Sequence, residues 1–483
     1  MIMNLHFSHI LVEEYKTAKA FLEPRATRNA KRATRPNRNT KDLHEPRGTG
    51  QIRRKAMRIL HTSDWHLGKT LENINRIEEQ RQFIDELCGI AESEAVDLVL
   101  VAGDIFDTYN PSSAAEELFY DAVDRLNAKG TRAVVVIAGN HDSPDRLCAA
   151  SPLAYKNGIV LLGYPGSDAA VYGAYSREGH PRSSVILQAG PGWLELKLGG
   201  LEHSAVIIAL PYPSESRLEQ LLSIESQEDK LQEAYSDKIA ELLRHLSSNF
   251  REDTVNLVVS HLYLREGMTS DSERQLGGAL VVDPCLLPDN AHFIALGHLH
   301  RPQRIKSSPS PAYYSGSPIA YSFSETDYSK LVYIVDAVPG KVSEVKEVYL
   351  NSGKQLKQWK AKNGIEEALR WCEEGRDPNA WIDLEIHTDR ALTLEEQKRL
   401  RELNPGIINI RPVVTDEKDS VISFESREGK RIEELFKDYY RYKTGMEAAE
   451  EMLETFIEVV NGDFEGENEE MLLGGEDIET QVS

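Results

Sequence analysis

The chain has 483 residues, a formal net charge of −22 and 40% hydrophobic positions, long enough for one large domain plus at least one smaller one. Nothing approaches the roughly eighteen uninterrupted apolar residues of a membrane span, and no apolar stretch with a small-residue cleavage site follows the N-terminus, so the expectation is a cytoplasmic protein with no membrane contact. Cys88, Cys148, Cys285 and Cys372 stand far apart with no CxxC pair, which speaks against a disulfide framework and a zinc knuckle.

The charge is uneven. Residues 1–56 carry 13 Lys and Arg against 5 Asp and Glu, a net of +8 that leaves −30 on the remainder. The stretch from Pro24, PRATRNAKRATRPNRNTK, is Arg-rich and poor in aromatics, and cannot bury enough apolar surface to offset its ordering entropy. Residues 1–56 are therefore expected to be a disordered basic extension, with Met57 a candidate for the true start. The acidic body repels nucleic acid at long range, so contact with it would need local basic loops, bound metal ions or a basic partner.

From Met57 short β-rich runs alternate with amphipathic helices, the pattern of an α/β layered domain over residues 57–345. The runs are Ile59 to Leu60, Asp97 to Ala102, Ala133 to Ala138, Val255 to Val259, Phe293 to Leu296 and Leu331 to Val335. Ile77, Ile84, Leu87 and Ala91 recur at helical spacing. A second helix follows Pro111, with Ser113 and Glu116 fitting a capping box. Residues 165–200 read as an irregular insertion and Ser214 to Ser248 as polar helix. A small α+β capping domain is expected over 350–425, from WIDLEIHTD, LTLEEQKRLRELNPG and IINIRPVV. Residues 428–460 read as an amphipathic helical pair, and 461–483 as an acidic disordered tail.

Five segments end a predicted strand and step directly into Asp, Asn or His: SDWH (Ser63 to His66), GDIFD (Gly103 to Asp107), GNHD (Gly139 to Asp142), SH (Ser260, His261) and GHLH (Gly297 to His300). The carboxyl ends of strands in an open α/β sheet share one edge, where ligands bind. In extended chain, residues two apart point the same way, pairing Asp64 with His66 and His298 with His300. Glycines before Asp104, Asn140 and His298 permit tight turns there. The metal-ligand set read from the pattern is Asp64, His66, Asp104, Asn140, His261, His298 and His300, imidazole and oxygen donors without thiolate, which suits Mn, Fe or Zn. A single strand-end Asp is usually a turn or cap, and a single His is usually satisfied by a carbonyl. Five such segments in one order are not explained by capping.

That order resembles the calcineurin-like metallophosphoesterase superfamily, and ILHTSDWHLGK, AGDIFD, AGNHDSPDRL, ALGHLHRPQ and YYSGSPIAYSFSE resemble its SbcD nuclease branch from Met57 to about Lys341. A weaker echo follows in LFKDYYRYKTGMEAAEEMLETF. The resemblance implies a layered αββα domain with two divalent ions, manganese by analogy. Asp64, His66 and His300 would hold one, Asn140, His261 and His298 the other, and Asp104 would bridge them. His141 would be the general acid for the leaving 3′ oxygen. Asp107 is read as capping the following helix, with orientation of His141 the alternative. The implied activity is 3′-to-5′ exonuclease action on double-stranded DNA and single-strand endonuclease action, in DNA end processing, repair, recombination and replication. Double-stranded and hairpin DNA are the implied substrates. The implied partner is an SbcC-type coiled-coil ATPase, bound through the C-terminal helices, with two nuclease subunits in a heterotetramer.

LGKT (Leu67 to Thr70) mimics the end of a P-loop, but Ser63 stands where its first glycine is required. Two other readings are compatible with the metal site. One is a phosphoesterase acting on small nucleotides or phosphoproteins; the other is a catalytically silent DNA-tethering scaffold.

Overall fold

The computed structural model describes residues 56–169, 184–214, 228–270, 281–390 and 392–414, with isolated positions at 436, 437 and 453. The basic extension, nearly all of the 428–460 helical segment and the acidic tail lie outside the described residues.

Continuous apolar runs such as LVLVA and AVVVI mark strands covered on both faces. Strands β1 (Met57–Thr62), β2 (Leu98–Ala102), β3 (Ala133–Ile137) and β4 (Ile159–Leu162) run parallel. A second sheet is built from β5 (Val185–Gly190), β6 (Trp193–Lys197), β7 (Ser204–Leu210), β8 (Val255–His261), β9 (Phe293–Gly297), β10 (Gln303–Ile305) and β11 (Ala312–Tyr314). Its order is β10-β11-β9-β8-β7-β6-β5. Antiparallel β12 (Leu331–Ala337) and β13 (Glu344–Tyr349) complete the first sheet as β13-β12-β1-β2-β3-β4.

The two sheets stack. Alternate residues Met57, Ile59, Leu98, Leu100, Val135 and Ile137 of the first meet Ala205, Ile207, Leu257, Val259, Phe293 and Ala295 of the second in one buried cluster. The opposite faces take helices. α1 (Ile77–Ser93) and α2 (Ser113–Asn127) bury Phe83, Ile84, Leu87, Leu118 and Phe119 against Leu60, Val99, Val101, Val134 and Val136. α3 (Glu228–Leu246) sets Ile239 and Leu243 against Ile208, Val258 and Ile294. This is the expected αββα layering. Among the described residues no helix is long and apolar enough to cross a membrane.

Past β13, a three-stranded parallel sheet of β14 (Gln355–Ala361), β15 (Ala380–Thr388) and β16 (Ile407–Val414) packs one face on α4 (Ile365–Glu373) and α5 (Leu394–Leu403). Strand, helix and strand were expected here. The additional β14 and α4 are short and charged outside a few core positions, Trp359, Leu369 and Cys372, which conceals their periodicity.

Three local expectations are corrected. Ser112 rather than Ser113 caps α2, its side chain accepting from Ala115 N. Glu116 forms no capping box and instead accepts from Arg146 Nε at 2.7 Å. The irregular stretch 165–200 contains the antiparallel β5–β6 hairpin, turned at Gly192, with φ +78°. SAVIIAL, absent from the expected strands, forms β7 inside the second sheet. All four cysteines are free thiols.

Candidate metal centre

The five strand-end segments meet, but not on one sheet edge. SDWH, GDIFD and GNHD follow β1, β2 and β3 of the first sheet, whereas His261 and GHLH lie at the ends of β8 and β9 in the second. The stacking brings both sets of strand ends together. Glycine permits this contact: a Cβ on Gly297 would overlap Ala102 O, one on Gly103 would overlap the His261 ring, and one on Gly139 would overlap Asp104.

The side chains do not converge through extended pairing either. Asp64, His66, Asp104 and His298 have φ of 53°, 43°, 49° and 104°, a region that costs non-glycine residues of order 1–3 kcal/mol and is found at functional sites. The loops hold one another in this conformation. Asp64 N donates to Gly103 O at 3.0 Å, His66 N to Asp104 O at 3.0 Å, and His298 N to Asp64 Oδ1 at 2.9 Å.

Two groups of donor atoms result. Those of Asp64, His66 and His300 lie within 4.8 Å of one another, with the Nε2 atoms of His66 and His300 3.0 Å apart. In the other group, Asn140 Oδ1 is 2.9 Å from both His261 Nε2 and His298 Nδ1. Asp104 stands between the groups: its Oδ2 is 3.6 Å from His66 Nε2 and 3.4 Å from His261 Nε2. Its Oδ1 accepts from His141 N at 2.9 Å. Donors at metal–ligand distances of about 2.0–2.2 Å and at right angles stand about 3 Å apart, so these spacings suit a shared cation.

The tautomers make the same point. His261 Nδ1 is 2.8 Å from Ala102 O, so a neutral ring carries its proton there, and its Nε2 lone pair faces Asn140 Oδ1. With lone pairs turned toward each other, these two atoms at 2.9 Å could share a cation. The Asn140 Nδ2 amide is buried without a hydrogen-bond partner, as befits a side chain oriented by its oxygen. Burial pushes His66 and His298 down to about 3 and raises Asp64. Burial also opposes protonation of His261, but the Asp104 carboxylate outweighs it and raises this ring to about 9. The donor set and its electrostatics fit divalent ions.

His141 is part-buried, its ring centroid 4.9 Å from that of His66, and its Nδ1 lies 2.7 Å from Asp107 O. It falls within ligating reach of His66 and Asp104, but its distal nitrogen is directed by a main-chain carbonyl rather than by a carboxylate. Asp107 does not cap α2. Its carboxylate accepts from Lys69 Nζ at 2.7 Å and lies 3.5 Å from His66 Nδ1. Burial opposes its ionisation, yet His66 and Lys69 hold it well below the usual carboxylate range.

Several supporting residues were not foreseen. Asp142 is buried and accepts from Gly139 N, Ile105 N and Phe106 N at 2.7, 3.1 and 2.9 Å, fastening the GNHD and GDIFD loops together. Its position inside GNHD was the available signal. Tyr321 donates to Trp65 O, between Asp64 and His66, and Glu325 lies 3.3 Å from His300 Nδ1. Both fall in YSFSE, where no spacing rule points to a site.

Residues 57–302 match the calcineurin-like phosphoesterase family, and residues 352–444 match the family described as type 5 capsule protein repressor C-terminal domain. The SbcD subunit of the SbcCD nuclease from Bacillus subtilis (strain 168) is 47% identical over 409 residues, 84% of this chain and 98% of that protein. Its counterpart in Staphylococcus epidermidis is 26% identical over 80% of this chain and 94% of that protein. The counterpart in Rhodobacter capsulatus is 32% identical over 59% and 67%. With the phosphoesterase match covering residues 57–302 and such identity along nearly the whole of a relative, the chain belongs to the SbcD family of calcineurin-like phosphoesterases.

Proposed function

We propose that this SbcD-type, metal-dependent nuclease hydrolyses DNA phosphodiesters at the junction of the two sheets. The observation that carries the reading is the meeting of seven donor residues from five strand ends, with donor atoms about 3 Å apart, a spacing that suits shared cations. Asp64, His66 and His300 would hold one ion, Asn140, His261 and His298 the other, and Asp104 both. Manganese is the proposed metal, since imidazole and carboxylate donors without thiolate suit it. Bound there, the ions would supply positive charge to the phosphodiester oxygens and lower the pKa of the attacking water.

The chain's own residues do the rest. A hydrogen bond from His141 Nδ1–H to Asp107 O leaves Nε2 to carry a second proton toward the leaving 3′ oxygen as a general acid. Asp104 Oδ1, by accepting from His141 N, keeps that ring beside the donor cluster. The Asp142 bonds keep the two loops from separating during turnover.

The finer reading is 3′-to-5′ exonuclease action on double-stranded DNA and endonuclease action on single strands and hairpins, in DNA repair, recombination and replication. A cytoplasmic location accompanies it. The relatives are named as subunits of SbcCD. An SbcC-type coiled-coil ATPase is accordingly the proposed partner, in an assembly with two nuclease subunits. We assign its docking to residues 428–460 and retain 350–425 as a capping domain. Deleting residues 430–483 should abolish co-purification with the ATPase while Mn²⁺-dependent cleavage stays within a few-fold. The decisive experiment compares Mn²⁺-dependent hydrolysis of double-stranded DNA, bis(p-nitrophenyl) phosphate and cyclic nucleotides. Preference for cyclic nucleotides over DNA would overturn the nuclease assignment of the site, and inactivity on all three would favour a tethering scaffold.

A further inference from the structure

His300 is gripped at both its ring and its main chain by one short stretch of sequence. Its Nδ1 lies 3.3 Å from Glu325 Oε1, and its carbonyl oxygen accepts from Ser317 N at 3.2 Å and from Lys330 Nζ at 3.2 Å. Lys330 Nζ also donates to Glu325 Oε2 at 2.5 Å and to Ser317 Oγ at 2.7 Å. The Glu325 and Lys330 side chains are 0% and 9% exposed. Gly316 leaves room for this grip, since a Cβ there would overlap the His300 carbonyl oxygen.

The other imidazoles are held differently. His261 Nδ1 is set by a neutral main-chain carbonyl, Ala102 O, and His66 Nδ1 has only the looser Asp107 carboxylate at 3.5 Å, itself 24% exposed. A buried ion pair adds little net stability, because desolvation consumes most of its attraction. Holding the fold together is therefore a weak account of Glu325 and Lys330. Fixing a ligand is a better one, since a carboxylate on the far nitrogen of a ligating imidazole selects its tautomer and raises its basicity.

We propose that the Glu325–Lys330 pair is a positioning device for His300, keeping the proton on Nδ1 and the main chain in place so that Nε2 stays aimed at Asp64 and His66. Resting on the two-ion reading above, it makes the affinity for the ion held by those three residues depend on side chains that never touch the ion. The ion assigned to Asn140, His261 and His298 is independent of the pair.

The test is a titration of the full chain with Mn²⁺ alone, followed by equilibrium dialysis and electron paramagnetic resonance. Glu325→Gln keeps an acceptor for Nδ1 without the charge. The double variant Glu325→Gln/Lys330→Met removes both charges at similar volume and leaves no orphaned ammonium. In both, one of two ions should weaken by about 10–100-fold, the range for loss of such a partner. At two equivalents the spin-coupled dinuclear signal should give way to the six-line signal of isolated Mn²⁺, with the other ion bound within a few-fold of wild type. A folded double variant that binds both ions as wild type does overturns the proposal, as does equal weakening of both ions or failure of both variants to fold. Wild-type protein binding fewer than two ions would instead overturn the two-ion reading itself.

Discussion

The indole Nε1 of Trp381 donates to Glu79 Oε1 at 2.9 Å, tying β15 of the C-terminal unit to α1 of the catalytic layers across 302 residues of chain. Glu79 also accepts from Arg76 Nε at 2.5 Å, Arg76 Nη2 at 2.8 Å and Lys354 N at 2.6 Å. The Lys354 ammonium sits 3.8 Å over the Trp381 ring. Arg76 Nη1 reaches Ala320 O at 3.1 Å, and the next residue, Tyr321, donates to Trp65 O in the SDWH loop. One buried carboxylate thus links the C-terminal unit to the loop that carries Asp64 and His66.

Trp381→Phe removes a hydrogen bond to a charged acceptor, and should destabilise the attachment by about 1.5–3 kcal/mol. Hydrogen exchange at the Lys354 amide reads this directly. Protection there equal to wild type would mean that the indole is not an anchor.

The same carboxylate predicts an acid limb. Burial raises Glu79, but Arg76 more than offsets it and leaves the group below its ordinary 4.5. A folded pKa under the unfolded one means that the unfolded chain binds more protons as acid is added. The contribution is therefore complete above pH 4.5 and is lost as pH falls through the folded value. Glu79→Gln should flatten the dependence of unfolding free energy on pH below about 5. An unchanged slope would assign the acid sensitivity elsewhere.

His141→Asn should keep both ions and lower turnover by about 10²–10⁴-fold, the usual contribution of a general acid. Metal analysis beside kinetics decides this. Loss of manganese in step with activity would make His141 a ligand, which its reach to His66 and Asp104 would accommodate.

Asp104→Ala should release both ions, since its carboxylate lies between the two donor groups. It also frees the His141 amide and so loosens the GNHD loop. Two ions still tightly bound in dialysis would exclude a bridging role.

Gly297→Ala tests the approach of the sheets, because the added methyl would collide with Ala102 O on the facing strand end. Overpacking of this kind typically costs about 1–3 kcal/mol. Because His298 follows directly, manganese affinity should fall together with the melting temperature. A variant with wild-type values for both would show that the sheets can separate at no cost.

Much of this molecule was legible in its sequence. Strand-forming runs that end in SDWH, GDIFD, GNHD, SH and GHLH announce themselves because covered strands are apolar throughout and capping does not explain five polar strand ends in one order. The layered class follows from that contrast, which concerns residue type at neighbouring positions, and the same contrast singles out the candidate ligands. The ends of α2 and the β5–β6 hairpin were harder to read, because Ser112 and Ser113 have equal capping chemistry and a hairpin edge has few buried positions.

Only the tertiary structure decided that the centre is shared between two stacked sheets, since the pairing of β1–β3 with β8 and β9 depends on which apolar faces meet and not on any local pattern. It also decided that Asp64, His66, Asp104 and His298 leave their strands in left-handed conformations. Local propensity disfavours that geometry for such residues, and here the loops impose it on one another. Glu325 on His300, Asp142 under its three amides and Trp381 on Glu79 belong with these decisions. Each joins residues whose separation in the chain is set by the packing of whole layers, so the identity of a partner becomes readable only once the layers are in place.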